Sequence, residues 1–153
     1  MVNKLPLLAI ICLMPFLTVK AQSDTLNRRE QRPFGISVNI LGPTLVTSLN
    51  LDYFFSKNFS LEAGAGAIGY YAGVKVYFGK KTRTCMPYIG ATYSNVIFTG
   101  DDGGIYPFLY LPVGYHFVGK KGFNFSAEIA AMQPDILFYG QLRVGYRFLK
   151  KKG

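Results

Sequence analysis

The sequence predicts an all-β protein, an eight-stranded antiparallel up-and-down β-barrel that crosses a membrane. Three observations predict it: apolar residues alternate with small or polar residues through eight segments, short turns join the segments, and no window has a sustained helical period. The alternation extends over twelve residues at Leu137–Phe148. That length exceeds the ~5–6 residues of a usual strand and approaches the ~9–11 with which a tilted strand crosses a bilayer.

Residues 1–21 have the features of a secretory signal peptide. Lys4 gives a short positive start, and an apolar core follows at residues 5–19 that is too short and too interrupted by proline for a good spanning helix. We expect cleavage after Ala21. An uncleaved anchor is one alternative. A lipoprotein signal at Cys12 is another, although isoleucine precedes that cysteine where a small residue is required.

Export would leave about 132 residues, enough for one domain. Cys85 is then the remaining cysteine, so an internal disulfide is not possible. Loss of Lys4 and Lys20 leaves 15 basic and 8 acidic residues, a net charge of +7. Because the basic residues fall in turns and tails, without a Gly-rich phosphate loop, and because the chain is exported, we expect no nucleic-acid partner.

Polar and charged residues dominate residues 22–33, which therefore predict a disordered periplasmic N-terminal tail. The barrel domain is predicted at residues 34–149, followed by a basic C-terminal tail at 150–153. The strands are predicted at Phe34–Leu41, 45–55, 59–67, 70–79, 87–98, 105–118, 123–131 and Leu137–Phe148. Glycine, proline, asparagine and lysine mark the intervening turns.

Pro107 and Pro112 lie inside one predicted strand, although a closed barrel has no free edge for a residue that lacks an N–H donor. We expect a local bulge there. Parity alone points His116 inward near the periplasmic end, and a bulge would shift the alternation after Pro112 and turn His116 outward. A lateral opening between strands is the alternative.

The alternation alone does not say whether the apolar face looks into a cavity, as in a lipocalin-like carrier, or out to lipid. Three observations favour lipid. The polar face has few charges, whereas a water-facing surface carries ~25–35% charged residues. Aromatic residues gather at strand ends, as in the girdles of membrane barrels. Charges avoid the apolar face within strands.

The charged residues on the polar face are three acids and three bases, a balance that predicts a salt-bridge network in the lumen. They are Asp52, Glu62, Lys75, Glu128, Arg143 and Arg147. An eight-stranded barrel is narrow enough for side chains to fill it, so the network is expected to plug the interior. A gate or small-ion path is the alternative.

His116 is the sole histidine, and no serine lies near it in sequence. A hydrolytic triad needs a nucleophile, a histidine and an acid within hydrogen-bond reach, and a metal site needs several ligands. We therefore expect no catalytic residue, no metal site and no cofactor.

These features together resemble the small outer-membrane β-barrel proteins of Gram-negative bacteria, the outer-membrane protein A transmembrane-domain and outer-membrane protein X class. The resemblance covers residues 34–148 and includes the final Gly145-Tyr146-Arg147-Phe148. The family's terminal phenylalanine is here followed by further residues from Leu149, and the outer connections are short. The resemblance implies an outer-membrane location, with outer-membrane lipid and the barrel assembly machinery as partners, and a monomer.

The functional expectation is a non-enzymatic integral outer-membrane barrel with a plugged polar lumen. Both termini would lie on the periplasmic side, because the strand number is even. The alternatives are a periplasmic lipocalin-like barrel that binds an apolar ligand and a lipid-modifying barrel enzyme.

Overall fold

The computed structural model describes residues 27–79, 84–99, 103–134 and 137–150. The signal peptide with its cleavage after Ala21, the first part of the N-terminal tail and residues 151–153 lie outside these ranges. Those parts of the domain assignment stay predictions.

Within the described residues, eight antiparallel strands form a closed barrel in sequential order, with β1 paired to β8. The strands are β1 Phe34–Leu41, β2 Thr47–Ser56, β3 Phe59–Gly66, β4 Gly69–Tyr77, β5 Cys85–Phe98, β6 Gly104–Val118, β7 Phe123–Gln133 and β8 Leu137–Phe148. The predicted fold class is confirmed. β1 and β8 have the predicted bounds, and the other strand ends differ from prediction by at most two residues.

The apolar side chains of the strands face outward and the polar ones face the lumen. In β1, for example, Ile36 and Val38 are exposed while Ser37 and Asn39 are almost completely buried. Successive side chains of a strand point to opposite faces of the sheet. Alternation of apolar and polar residues along each strand therefore gives the barrel an apolar outside and a polar inside.

The prediction of a bulge at Pro112 is wrong, because β5 and β6 keep the same register on both sides of this residue. The pairs Ile89–Val113 and Thr92–Tyr110 flank it with the same offset, so no residue is inserted and His116 remains inside the barrel. The physical reason is the residue opposite: a Cβ on Gly90 would lie 3.0 Å from Pro112 Cγ, so the glycine leaves room for the proline ring in an unbroken register.

The predicted disorder of residues 22–33 is wrong for the described part, residues 27–33. Here the chain forms a single helical turn, α1 (Arg28–Gln31), in which the Asn27 side chain accepts a hydrogen bond from the backbone N–H of Arg29 at 3.0 Å. The segment is ordered because its polar groups find partners on the barrel: Lys150 N–H, for instance, donates to the Gln31 carbonyl at 2.8 Å.

In the part of the chain that the structure describes, no helix is both long and apolar enough to cross a membrane.

Candidate functional site: the barrel interior

The interior has three layers along the barrel axis. The termini end is the end at which β1 begins and β8 finishes, and the opposite end carries the connections between β1 and β2, β3 and β4, β5 and β6, and β7 and β8. An aromatic and cationic layer lies at the termini end, a charged layer in the middle, and an apolar layer at the opposite end.

The middle layer is a chain of ion pairs. Lys75 Nζ lies 3.3 Å from Glu62 Oε2 and 2.9 Å from Glu128 Oε2, and Arg143 Nη1 lies 2.8 Å from the same Glu62 oxygen. All four side chains are at most 5% exposed. Because two acids alternate with two bases, the layer is neutral as a whole, which is the condition for keeping charges out of water.

Hydroxyl groups complete the coordination of the carboxylates. Tyr110 Oη donates to Glu128 Oε1 at 3.1 Å, Tyr88 Oη also hydrogen-bonds Glu128, and Thr92 Oγ1 donates to Glu62 Oε1 at 3.3 Å. A carboxylate can accept about four hydrogen bonds, and filling those sites lowers the cost of burial.

Amides link Arg143 to the rest of the layer. Arg143 Nε donates to Asn39 Oδ1 at 2.8 Å, and Tyr71 Oη donates to Asn50 Oδ1, also at 2.8 Å. In the amide orientation that satisfies both neighbours, Gln141 donates to Glu128 Oε1 at 3.0 Å and accepts from Arg143 Nη2 at 3.2 Å. The layer is therefore one connected network across several strands.

The other two charges named from the sequence form a separate pair near the termini end. Arg147 Nη1 pairs with Asp52 Oδ2, and Arg147 Nε donates to the Arg32 carbonyl at 2.8 Å. The Arg147 guanidinium also lies 4.3 Å from the centroid of the Phe54 ring. The six residues thus all lie in the lumen but divide into a four-residue network and a two-residue pair.

Arg29 of α1 is a lumen residue that sequence reasoning missed. Its side chain is 1% exposed, and its guanidinium donates to the His116 carbonyl at 2.8 Å and to Met86 Sδ at 2.9 Å. Burial lowers the pKa of Arg29 to about 10, so it stays charged at neutral pH. No local signal in the sequence indicates this position, since Arg29 stands in a polar segment without periodicity.

The side chains around Arg29 are aromatic. Arg29 lies 5.8 Å from the centroid of Phe54 and 5.5 Å from that of Tyr77, within the range of cation–π contacts. His116 stacks on Phe54 with a centroid distance of 5.9 Å and an interplanar angle of 11°. This end of the lumen is thus filled by aromatic rings that contact the guanidinium of Arg29 and, at Phe54, also that of Arg147.

Ser126 stands directly opposite His116 in the β6–β7 ladder, a proximity that their spacing in sequence did not reveal. Within the described residues, neither His116 Nδ1 nor Ser126 Oγ has a hydrogen-bond partner. The hydrogen bond between nucleophile and base that a serine hydrolase needs is therefore not formed between these two side chains.

The layer at the opposite end is apolar. Its buried members are Val96, Phe108, Tyr110, Ala130 and Met132, with Leu45, Ile68 and Tyr139 packed against them. The connection between β1 and β2 folds over this layer: Thr44 is fully buried, and Ser94 Oγ donates to the Pro43 carbonyl. From the sequence, Gly42-Pro43 indicated only that the strand ends there, and not that the connection between β1 and β2 folds into the barrel.

The outer surface is an apolar belt bordered by aromatic rings. Leu49, Val113 and Ile129, which lie within strands and face outward, are 64%, 62% and 55% exposed. Near the termini end, Phe34 and Phe148 have ring centroids 5.9 Å apart across the β1–β8 closure. In the described residues, no group of three or more His, Cys, Asp or Glu side chains is arranged to hold a metal ion.

No protein-family model and no curated protein matches the sequence. Among solved structures, the chain is similar to the crystal structure of the N-terminal beta-barrel domain of Pseudomonas aeruginosa OprF, with a TM-score of 0.57 and 16% identity. The similarity covers 77% of this chain and 98% of that one. At this identity it concerns the fold, and at that level the resemblance to small eight-stranded membrane barrels is confirmed.

Proposed function

We propose that the protein is an integral outer-membrane β-barrel protein with a closed, non-conducting lumen and a structural role in the membrane. The observation that carries the proposal is the combination of an apolar outer surface with a lumen whose charges are paired. A water-soluble barrel would need the opposite distribution.

The outer surface supports insertion into lipid. Soluble monomers rarely expose an apolar patch larger than ~300–600 Å², whereas here the outward residues of every strand are mostly apolar. A closed barrel also satisfies its backbone hydrogen bonds within the sheet, as the lipid interior requires. The predicted signal peptide supports export, and exported barrels of this kind belong to the outer membrane.

The three layers of the lumen support closure. Arg29 and its rings fill the termini end, the ion-pair network fills the middle, and the β1–β2 connection covers the opposite end. Side chains can fill the interior of an eight-stranded barrel, and a continuous water path would require several of these contacts to break.

The closed barrel is favoured over the two alternatives for specific reasons. A carrier for an apolar ligand needs an apolar cavity, whereas the middle of this lumen is charged. A hydrolytic enzyme of the membrane needs an activated nucleophile near lipid, whereas His116 is buried at the termini end and does not hydrogen-bond Ser126.

The test combines localisation with conductance. We expect the mature chain in the outer-membrane fraction, with an electrophoretic mobility that changes on boiling, and no channel activity in planar bilayers. Recovery as a detergent-free periplasmic protein would reject membrane insertion. Stable single-channel steps from correctly inserted protein would reject the closed lumen.

A further inference from the structure

We infer that the termini end of the barrel binds the headgroups of anionic phospholipids in the surrounding leaflet, through basic residues positioned just beyond a belt of lipid-facing aromatic rings. The inference rests on the proposed membrane insertion and adds a lipid class to it.

Charge is segregated between the two ends of the barrel. Among the described residues, the basic side chains outside the lumen all belong to segments at the termini end, with Glu30 as the accompanying acid. They are Arg28, Arg32, Lys57, Lys120, Lys121 and Lys150.

The opposite end has the reverse balance. Its described connections, residues 42–46, 67–68, 99, 103 and 134, carry no charged side chain. The remaining residues of those connections add Asp101, Asp102 and Asp135 in the sequence. The attraction for anions is therefore confined to one face of the membrane.

Three of the four described lysines outside the lumen have the same spacing from the aromatic belt. Lys57 follows Phe55 by two residues, Lys121 precedes Phe123 by two, and Lys150 follows Phe148 by two. Those three phenylalanines face outward and are 61%, 50% and 45% exposed.

This spacing sets the depth of the ammonium groups. Aromatic rings of membrane barrels sit at the level of the headgroups. Lys57 and Lys121 lie in turns and Lys150 follows the end of β8, so all three lie beyond the ends of the strands that carry the rings, and the flexible lysine stem can adjust the height further. The ammonium groups therefore reach the phosphates in the same interfacial layer as the rings.

The arrangement around the barrel favours lipid over a globular partner. Described basic residues occur at the β2–β3 turn, at the β6–β7 turn and after β8, so they lie at separate places on the rim rather than forming one patch. Lys120, Lys121 and Lys150 are exposed, and Lys57 is half-buried. A set of separate cations matches an annulus of separate phosphates, and the attraction acts within a Debye length of about 8–10 Å.

The test uses the mature chain in phosphatidylcholine bilayers with traces of spin-labelled phosphatidylglycerol or phosphatidylcholine. At low salt we expect the phosphatidylglycerol label to associate with the protein at least about threefold more strongly than the phosphatidylcholine label. In about 0.5 M salt the ratio of the two associations should approach one. The variant K57Q/K120Q/K121Q/K150Q, which keeps Arg28 and Arg32, should show a clearly weaker preference. The matched variant K57R/K120R/K121R/K150R keeps the charges and should retain it.

Equal association of both labels with the inserted wild type would overturn the inference alone, as would a preference of unchanged strength in the glutamine variant. A wild-type chain that fails to insert, and shows no heat-dependent mobility change, would overturn the proposed function and this inference with it.

Discussion

Lys75 Nζ lies 2.9 Å from Glu128 Oε2 in the barrel interior, and each side chain is only 1% exposed. The two residues come from β4 and β7, strands that share no ladder. The ion pair therefore crosses the lumen, so a single contact both connects distant strands and occupies the space through which ions would pass.

Removing Lys75 should destabilise the barrel strongly. Among the described residues, Lys75→Met would leave Glu128 without a paired cation and would remove one of the two cations at Glu62. An uncompensated buried charge costs ~3–5 kcal/mol. We expect a loss of that order in the free energy of unfolding, measured by urea titration of the folded protein in detergent or lipid.

The matched control is the double variant K75M/E128Q. It removes the pair together while the Glu62–Arg143 pair remains. The amide introduced at position 128 can still accept a hydrogen bond from Tyr110 through its oxygen and donate one to the Tyr88 hydroxyl through its nitrogen. Replacing both members of a buried pair is often close to neutral, so the double variant should recover most of the lost stability. If single and double variants are equally unstable, the loss does not come from a stranded charge.

Arg29→Ala should release the N-terminal segment without unfolding the barrel. Arg29 donates to the His116 carbonyl and to Met86 Sδ, and hydrogen bonds from charged groups contribute ~1.5–3 kcal/mol each when buried. We expect faster hydrogen exchange at residues 28–33 and unchanged exchange in the strands. Glu30→Gln, on the exposed side of α1, is the control and should leave exchange unchanged.

The contrast between Arg29 and Arg147 explains how far the sequence could predict the site. Arg147 lies in an alternating strand, so parity alone assigned it to the lumen. Arg29 lies in a polar segment where no periodicity relates sequence to direction, and its position depends on contacts with residues about 60 to 90 positions away.

The same limit applies to Pro112 and to the division of the charges. The fold follows from local alternation and could be predicted. Whether a proline causes a bulge depends on the residue across the ladder, which is Gly90 here. The alternation of side chains also does not determine which acid pairs with which base. These outcomes depend on register between strands, which the sequence of one strand does not contain.

Gly35→Ala should weaken the Asp52–Arg147 pair. A Cβ at Gly35 would lie 2.6 Å from Asp52 Oδ1 and 2.9 Å from Arg147 Nη1, so the ion pair must shift. Overpacking of this kind costs ~1–3 kcal/mol, and we expect that loss in urea unfolding. At Gly140 the nearest atom to an added Cβ is 4.0 Å away, so Gly140→Ala is the matched control. Equal losses in both variants would argue against crowding at the ion pair.

His116 should behave as a packing residue. It stacks on Phe54, and within the described residues its Nδ1 has no hydrogen-bond partner, so a ring of similar size without nitrogen should replace it well. We expect His116→Phe to change the free energy of unfolding by less than ~1 kcal/mol, since removing an unsatisfied polar group offsets small packing losses. His116→Ala should cost about 2–4 kcal/mol, because deleting a buried ring leaves a cavity. If His116→Phe instead abolished hydrolysis of a lipid ester by the folded barrel, the histidine would be catalytic and the structural role would be rejected.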